Sequence, residues 1–133
     1  TTTTTTTTTL PTLPPSLLNY RNLPCTPLAI IYLLEHLERS LQQQQQQQQQ
    51  QFHLAGSHVV MIGRSSLVGQ PLSTMLTGKH ATVTLCHSKT KHLHRLCQSA
   101  DVIISATGVP NLITDAHVKP GYFFIFFYFF SHN

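Results

Sequence analysis

Acidic side chains are scarce in this sequence. Four Asp and Glu stand against eight Lys and Arg, a net charge of +4 with the histidines neutral. No basic run accompanies the excess. The bias therefore suits an anionic small molecule as well as it suits nucleic acid, and no nucleic-acid partner is read from it. Nine histidines would carry the charge higher below about pH 6. Cysteine is scarce too: Cys25, Cys86 and Cys97 are odd in number and form no Cys-x-x-Cys pair, which argues against a disulfide framework. They read as reduced, intracellular fillers of small apolar space. A basic segment followed by an apolar one, the mark of a signal peptide, does not open the chain. The aromatic run at 122–130 is nine residues long, against about 20 needed to cross a bilayer. No membrane segment is expected.

What is present divides sharply by complexity. Residues 1–9 are all threonine, 42–51 are all glutamine and 122–130 are almost all aromatic. Setting these aside leaves roughly 100 residues of ordinary sequence, enough for one small domain. The first 22 residues, threonines followed by Pro11, Pro14, Pro15 and Ser16, are expected to be disordered or extended. The glutamine run cannot bury apolar surface and is read as a solvated insertion, tolerated because closure entropy grows only logarithmically with loop length.

Between these segments the pattern alternates strand and helix. Pro24-Cys25-Thr26-Pro27 suits a helix start, with Thr26 as cap and Pro27 in the first turn. Leu28, Ile30, Ile31, Leu33, Leu34 and Leu37 then follow at helical spacing to an end near Arg39-Ser40. Residues 57–62 read as a buried strand. Residues 70–77 read as a helix with Leu72, Met75 and Leu76 inward and Gly78 as its stop. Residues 82–86 form a second strand, 93–99 a short helix and 101–107 a third strand. Lys119-Pro120-Gly121 turns into a possible fourth strand at 122–125. Strands bracketing helices imply parallel pairing and right-handed crossovers, half of a doubly wound nucleotide-binding sheet. The fold class expected is α/β: a partial Rossmann-like parallel sheet with flanking helices and disordered low-complexity ends and insertion.

The stretch with most chemistry is Val59-Val60-Met61-Ile62-Gly63-Arg64-Ser65-Ser66-Leu67-Val68-Gly69-Gln70-Pro71. An apolar strand meets a glycine turn, and a second glycine opens a helix, the layout of a phosphate-binding turn. Gly63 permits the tight turn and Gly69 a close helix–strand approach. Ser65 stands where the common motif has its middle glycine, so its hydroxyl could donate a hydrogen bond to a pyrophosphate. Alone, the motif is equally a plain strand–turn–helix. The tip of the second strand shifts the balance. A site for the unphosphorylated dinucleotide usually has an acid there, for the ribose 2′-hydroxyl. Here the segment is Cys86-His87-Ser88-Lys89-Thr90, with no acid. Arg64 and Ser88 converging at that point, with Lys89 as a third candidate, favour a 2′-phosphate, hence NADP. The competing reading leaves Arg64 and Lys89 as solvated surface charges. His87, His92 and His94 match no zinc spacing, so no metal is expected, and no nucleophile elbow supports a Ser-His-Asp triad.

These residues also carry a resemblance. Pro24-Cys25-Thr26-Pro27, Gly63 through Pro71, Ala81-Thr82-Val83-Thr84-Leu85-Cys86-His87-Ser88-Lys89-Thr90 and Val118-Lys119-Pro120-Gly121 resemble, in the same order, the bifunctional methylenetetrahydrofolate dehydrogenase/cyclohydrolase family. The likeness covers roughly 23–121 apart from the glutamines. It implies an NADP-binding domain at 52–121 preceded by an interdomain helix at 23–41, with Gly63, Arg64, Ser65 and Ser88 on the cofactor and no catalytic residue in this chain. It further implies a folate substrate, frequent homodimers, and a cytoplasmic location with the mitochondrion as alternative. The family oxidises 5,10-methylenetetrahydrofolate by hydride transfer, then hydrolyses the methenyl product.

Departures from the family pattern are as informative. No counterpart exists for its folate-binding domain with a catalytic lysine and tyrosine, and 17–22 lack the expected aspartate. After residue 121 an aromatic tail replaces the family's apolar strand, aspartate and Gly-Ile-Asn. A truncated or mispredicted gene product is expected, inactive alone. The alternatives are a non-catalytic nucleotide-binding module and a poorly folded, aggregation-prone chain.

Overall fold

The computed structural model describes residues 24–43, 52–118 and 120, and the backbone of 123–126. The threonine run, most of the glutamine run, Lys119, Gly121 and the remaining aromatic tail lie outside these residues, together with the expectations made for them. Among the described residues the order is α1 (Cys25–Gln43), β1 (His58–Ile62), α2 (Gly69–Gly78), β2 (Thr82–Cys86), α3 (Leu93–Gln98), β3 (Val102–Ser105), a 3-10 turn (Asp115–His117) and β4 (Phe123–Phe126). The sheet runs β2-β1-β3-β4 and every pairing is parallel. The α/β, Rossmann-like expectation therefore holds.

The sheet separates two apolar layers. Val59 and Met61 of β1, with Val102 and Ile104 of β3, pack under α1 and α2 against Ile30, Ile31, Leu34, Leu72, Met75 and Leu76. Val60, Ile62 and Ile103 face the other way, onto Cys97 of α3, Cys86 and Ala100. This is why β1 is apolar at four successive positions, since a parallel strand covered on both sides has no solvent face. The two crossovers thus lie on opposite faces. The connection from β1 to β2 passes over one side, and that from β2 to β3 returns over the other. Adjacent strands that diverge in this way leave a crevice at their carboxyl ends, between β1 and β3.

Helix boundaries differ from the sequence reading in two instructive ways. Helix α1 begins two residues earlier than a Thr26 cap allows. Leu28 N–H donates to the Pro24 carbonyl at 3.2 Å, so Pro24 holds the cap position and Thr26 lies in the first turn. Pro27, also in that turn, gives up no helical bond because first-turn amides have no partner within the helix. The helix also runs past Ser40 into Gln42 and Gln43, good helix formers that nothing in the sequence stops.

The second difference is the end of α2. Gly78 is its last helical residue, not its stop. The left-handed position is His80, at φ 66°. Ala81 N–H reaches back to Leu76 C=O (3.1 Å) and His80 N–H to Thr77 C=O (3.0 Å), the paired bonds of a Schellman closure. A non-glycine there carries strain, offset by burying Ala81 and Leu76.

One ion pair joins the helices of the upper layer, Lys79 after α2 to Glu35 of α1, with the two side chains 15% and 26% exposed. Partial burial should make it worth more than a surface pair. Lys79→Met and Glu35→Gln, combined in a double-mutant cycle of urea unfolding, are expected to give a coupling of about 1 kcal/mol. The value should shrink as salt is raised.

Candidate functional site

The carboxyl edge of the sheet collects the sequence-predicted residues. The parallel register places Ile62 beside Cys86, and Gly63 N–H continues the ladder to the Cys86 carbonyl at 2.9 Å. On the other flank Ala106 N–H donates to the Ile62 carbonyl, also at 2.9 Å. Ile62-Gly63 is thus held from both sides as it leaves the sheet. Arg64 and Ser65 follow on one loop and His87-Ser88-Lys89-Thr90 on the neighbouring one. Arg64, Ser65, Ser88 and Lys89 are all exposed.

The two glycines of the turn have different reasons to be glycine. Gly63 takes φ 113°, which side chains rarely adopt, and a Cβ there would stand 2.7 Å from the Ala106 carbonyl oxygen. Gly69, at the start of α2, has no such φ. A Cβ on it would overlap the Gly63 carbonyl oxygen and stand 2.9 Å from Arg64 Cα. The helix therefore starts in contact with the backbone of the turn. Together the absent side chains form a close-fitting backbone cradle at the crevice, which suits a pyrophosphate lying against a helix N-terminus. No acid lies in the first turn of α2 to repel it.

Ser65 also shapes the loop itself. Its Oγ accepts from Val68 N–H at 3.2 Å and lies 3.5 Å from Gly69 N, while its carbonyl accepts Gln70 N–H at 3.0 Å. The hydroxyl closes the loop leading into α2. Because a hydroxyl both accepts and donates, its hydrogen stays available to an anion above the turn.

Sequence reasoning missed Gln70, whose Nε2 donates to the Arg64 carbonyl at 3.1 Å and ties the Arg64 peptide to the helix. It also missed the rim after β3. There Thr107 Oγ1 accepts Val109 N–H at 3.3 Å, and Gly108 adopts φ 67°. The signal was available, since Thr107-Gly108-Val109-Pro110 follows the third strand as Gly63 follows the first. Leu67 (69% exposed) and Val109 (48%) are large apolar groups on loops leaving this same edge.

Two of the cysteines, Cys86 and Cys97, are buried fillers as expected, whereas Cys25 is exposed and fills no core space. Burial raises the Cys86 thiol pKa, with a hydrogen bond from Thr90 acting the other way. Cys97 is pushed up to about 11 by burial, and Cys86 adds to the shift. Neither is an activated nucleophile, which requires a lowered pKa. The ring centroids of His92 and His94 are 6.4 Å apart, edge to face. Among the described residues no three His, Cys, Asp or Glu gather into a metal-binding group, and no helix is long and apolar enough to cross a membrane.

Comparison with known proteins agrees with this geometry. Residues 24–126 match the family model described as tetrahydrofolate dehydrogenase/cyclohydrolase, NAD(P)-binding domain. A bifunctional protein FolD from Anoxybacillus flavithermus is 41% identical over 99 residues, which are 74% of this chain and 30% of that one. The bifunctional FolD of Campylobacter jejuni superposes with a TM-score of 0.65 at 40% identity, over 77% of this chain and 32% of that one. The Trypanosoma brucei enzyme, solved with NADP and an inhibitor, gives 0.63 at 29% identity, over 82% and 34%. The chain thus spans about a third or less of the length of the relatives it matches. The superpositions, a glycine turn at the crevice and a family match over most of the sequence lead to one conclusion: the chain belongs to the tetrahydrofolate dehydrogenase/cyclohydrolase family, of which it carries the NAD(P)-binding domain.

Proposed function

We propose that this chain is the NADP-holding part of a 5,10-methylenetetrahydrofolate dehydrogenase/cyclohydrolase. In this reading residues 52–121 form the cofactor-binding unit and the helix at 23–41 packs onto it. Gly63 and Gly69 let the backbone approach the pyrophosphate, and the Ser65 hydroxyl turns its hydrogen toward it. Arg64 and Ser88 hold the 2′-phosphate. The observation that carries the reading is the hydrogen bond from Gly63 N–H to the Cys86 carbonyl. It fastens the Arg64 loop to the Ser88 loop where an NAD site would have its acid, and no acid is present. The bound nicotinamide would accept the hydride. This chain's own contribution is to grip the adenosine end and the phosphates so that the ring is held over the crevice. The folate substrate and the hydrolysis of the methenyl product belong to the proposed whole enzyme. Unpaired thiols, two of them buried, suit a reducing compartment such as the cytoplasm.

Calorimetric titration of the 133-residue chain with NADP and NAD tests the proposal. The expected result is NADP binding at least about tenfold tighter, from charge-assisted hydrogen bonds to the extra phosphate. Equal affinities, or no binding by a folded chain, would overturn it. Methylenetetrahydrofolate turnover is expected to be absent for this chain alone, since hydride transfer requires donor and acceptor in register.

A further inference from the structure

The loop that presents Ser88 is anchored from beneath. Thr90 Oγ1 accepts His87 N–H at 2.8 Å, and Thr90 N–H returns to the His87 carbonyl at 3.0 Å. A third bond closes the turn: Lys89 N–H donates to His87 Nδ1 at 3.2 Å. The loop leaves the sheet directly after Cys86, whose thiol donates to the Thr84 carbonyl at 4.0 Å and which is fully buried in the layer beneath α3. Thr90 is half-buried, while Ser88 and Lys89 at the crest of the turn are exposed. A hydroxyl has room to accept, and here the Thr90 oxygen takes the His87 amide and holds the two ends of the turn together.

We infer that Thr90 is a positioning residue for the phosphorylated ribose, fixing the height and direction at which Ser88 meets a 2′-phosphate. It need not touch the ligand. It sets discrimination between phosphorylated and unphosphorylated adenosine by keeping the turn in its receiving shape before the ligand arrives. The inference rests on the NADP reading above. It adds that specificity is held by a residue below the site as well as by those facing it. A loop left to order on binding would lose that ordering from its affinity, and the loss would fall on the ligand that uses the crest.

The test compares adenosine 2′,5′-bisphosphate with adenosine 5′-monophosphate, titrated into the full chain and into Thr90→Val and Thr90→Ser. Valine keeps the branched shape and removes the acceptor of the His87 amide; serine keeps the hydroxyl. The expected result is that Thr90→Val weakens the bisphosphate about fivefold to tenfold and the monophosphate less than about twofold, with Thr90→Ser close to the parent. A folded Thr90→Val with an unchanged ratio of the two affinities would overturn the inference, as would a serine variant no better than valine. If Thr90→Val does not fold, amide exchange in the parent decides. His87 and Lys89 amides protected before ligand is added support a preformed turn, and fast exchange that slows only with the bisphosphate overturns it. A parent chain that binds both nucleotides equally would instead defeat the NADP reading, which separates the two failures.

Discussion

Gly69→Ala is expected to lower unfolding stability by about 3 kcal/mol or more and to abolish dinucleotide binding. One added methyl would overlap the carbonyl oxygen of Gly63 and crowd Arg64 Cα. All these partners are backbone, so no side chain can swing aside. Helix α2 would have to withdraw from the turn, drawing Leu72 and Leu76 out of a layer in which both are fully buried. The three glycines separate the causes. Gly56 has φ 81° with nothing near its missing Cβ, so Gly56→Ala should cost only about 1 kcal/mol of backbone strain. Gly63→Ala combines strain and crowding and should lie nearer Gly69→Ala. Urea melts of the three variants check the order. A Gly69→Ala protein as stable as Gly56→Ala would mean that the helix does not rest on the turn.

The second large effect concerns Arg64. Arg64→Ala should weaken NADP roughly 10- to 100-fold, as expected for losing charge-assisted bonds to a phosphate, and weaken NAD less than about threefold. Arg64 is exposed in this structure, and its backbone is held by Gln70 and by the ladder at Gly63. Truncating the side chain should therefore leave the melting temperature nearly unchanged. The parent's NADP affinity should also fall with added salt, more steeply than its NAD affinity. Competition calorimetry at two salt concentrations would read both. If Arg64→Ala weakened NAD as much as NADP, the guanidinium would belong with the pyrophosphate rather than with the ribose.

Much of the architecture was legible because apolar residues keep a single period over each element. The strand at 82–86 was read to the residue, and the inward residues of α2 were the expected Leu72, Met75 and Leu76. The fourth strand sits one residue later than the sequence placed it. The misreadings share one cause: a local signal was judged without its hydrogen-bond partner. Thr26 is a fitting cap by type, yet the carbonyl that receives the first helical bond belongs to Pro24. Gly78 is a fitting stop by type, yet the chain turns left-handed at His80 because Ala81 and Leu76 are buried together. Gln70 and Thr90 were invisible as functional residues because their work is done on main-chain groups, which no residue pattern reveals. That the loops after β1 and β2 leave the sheet side by side was legible only through topology, since Ile62 and Cys86, 24 positions apart, become partners once the two parallel strands pair.

The middle ribbon of the sheet raises a question of alignment. Val59-Val60-Met61-Ile62 is oily on both faces, so sliding it by one residue would exchange its two faces at little cost in apolar area, and hydrophobicity cannot choose the alignment. Its ends make the choice. At the foot, His58 and Asp101 clasp each other, His58 N–H to Asp101 Oδ2 and Asp101 N–H to the His58 carbonyl, both at 2.8 Å. At the head, only a residue without a Cβ can sit beneath the Ala106 oxygen, and only one such residue is within a step. The glycine of the cofactor turn is therefore also the index mark of the ribbon, and a chain mispaired by one place would have lost its nucleotide cradle by the same error.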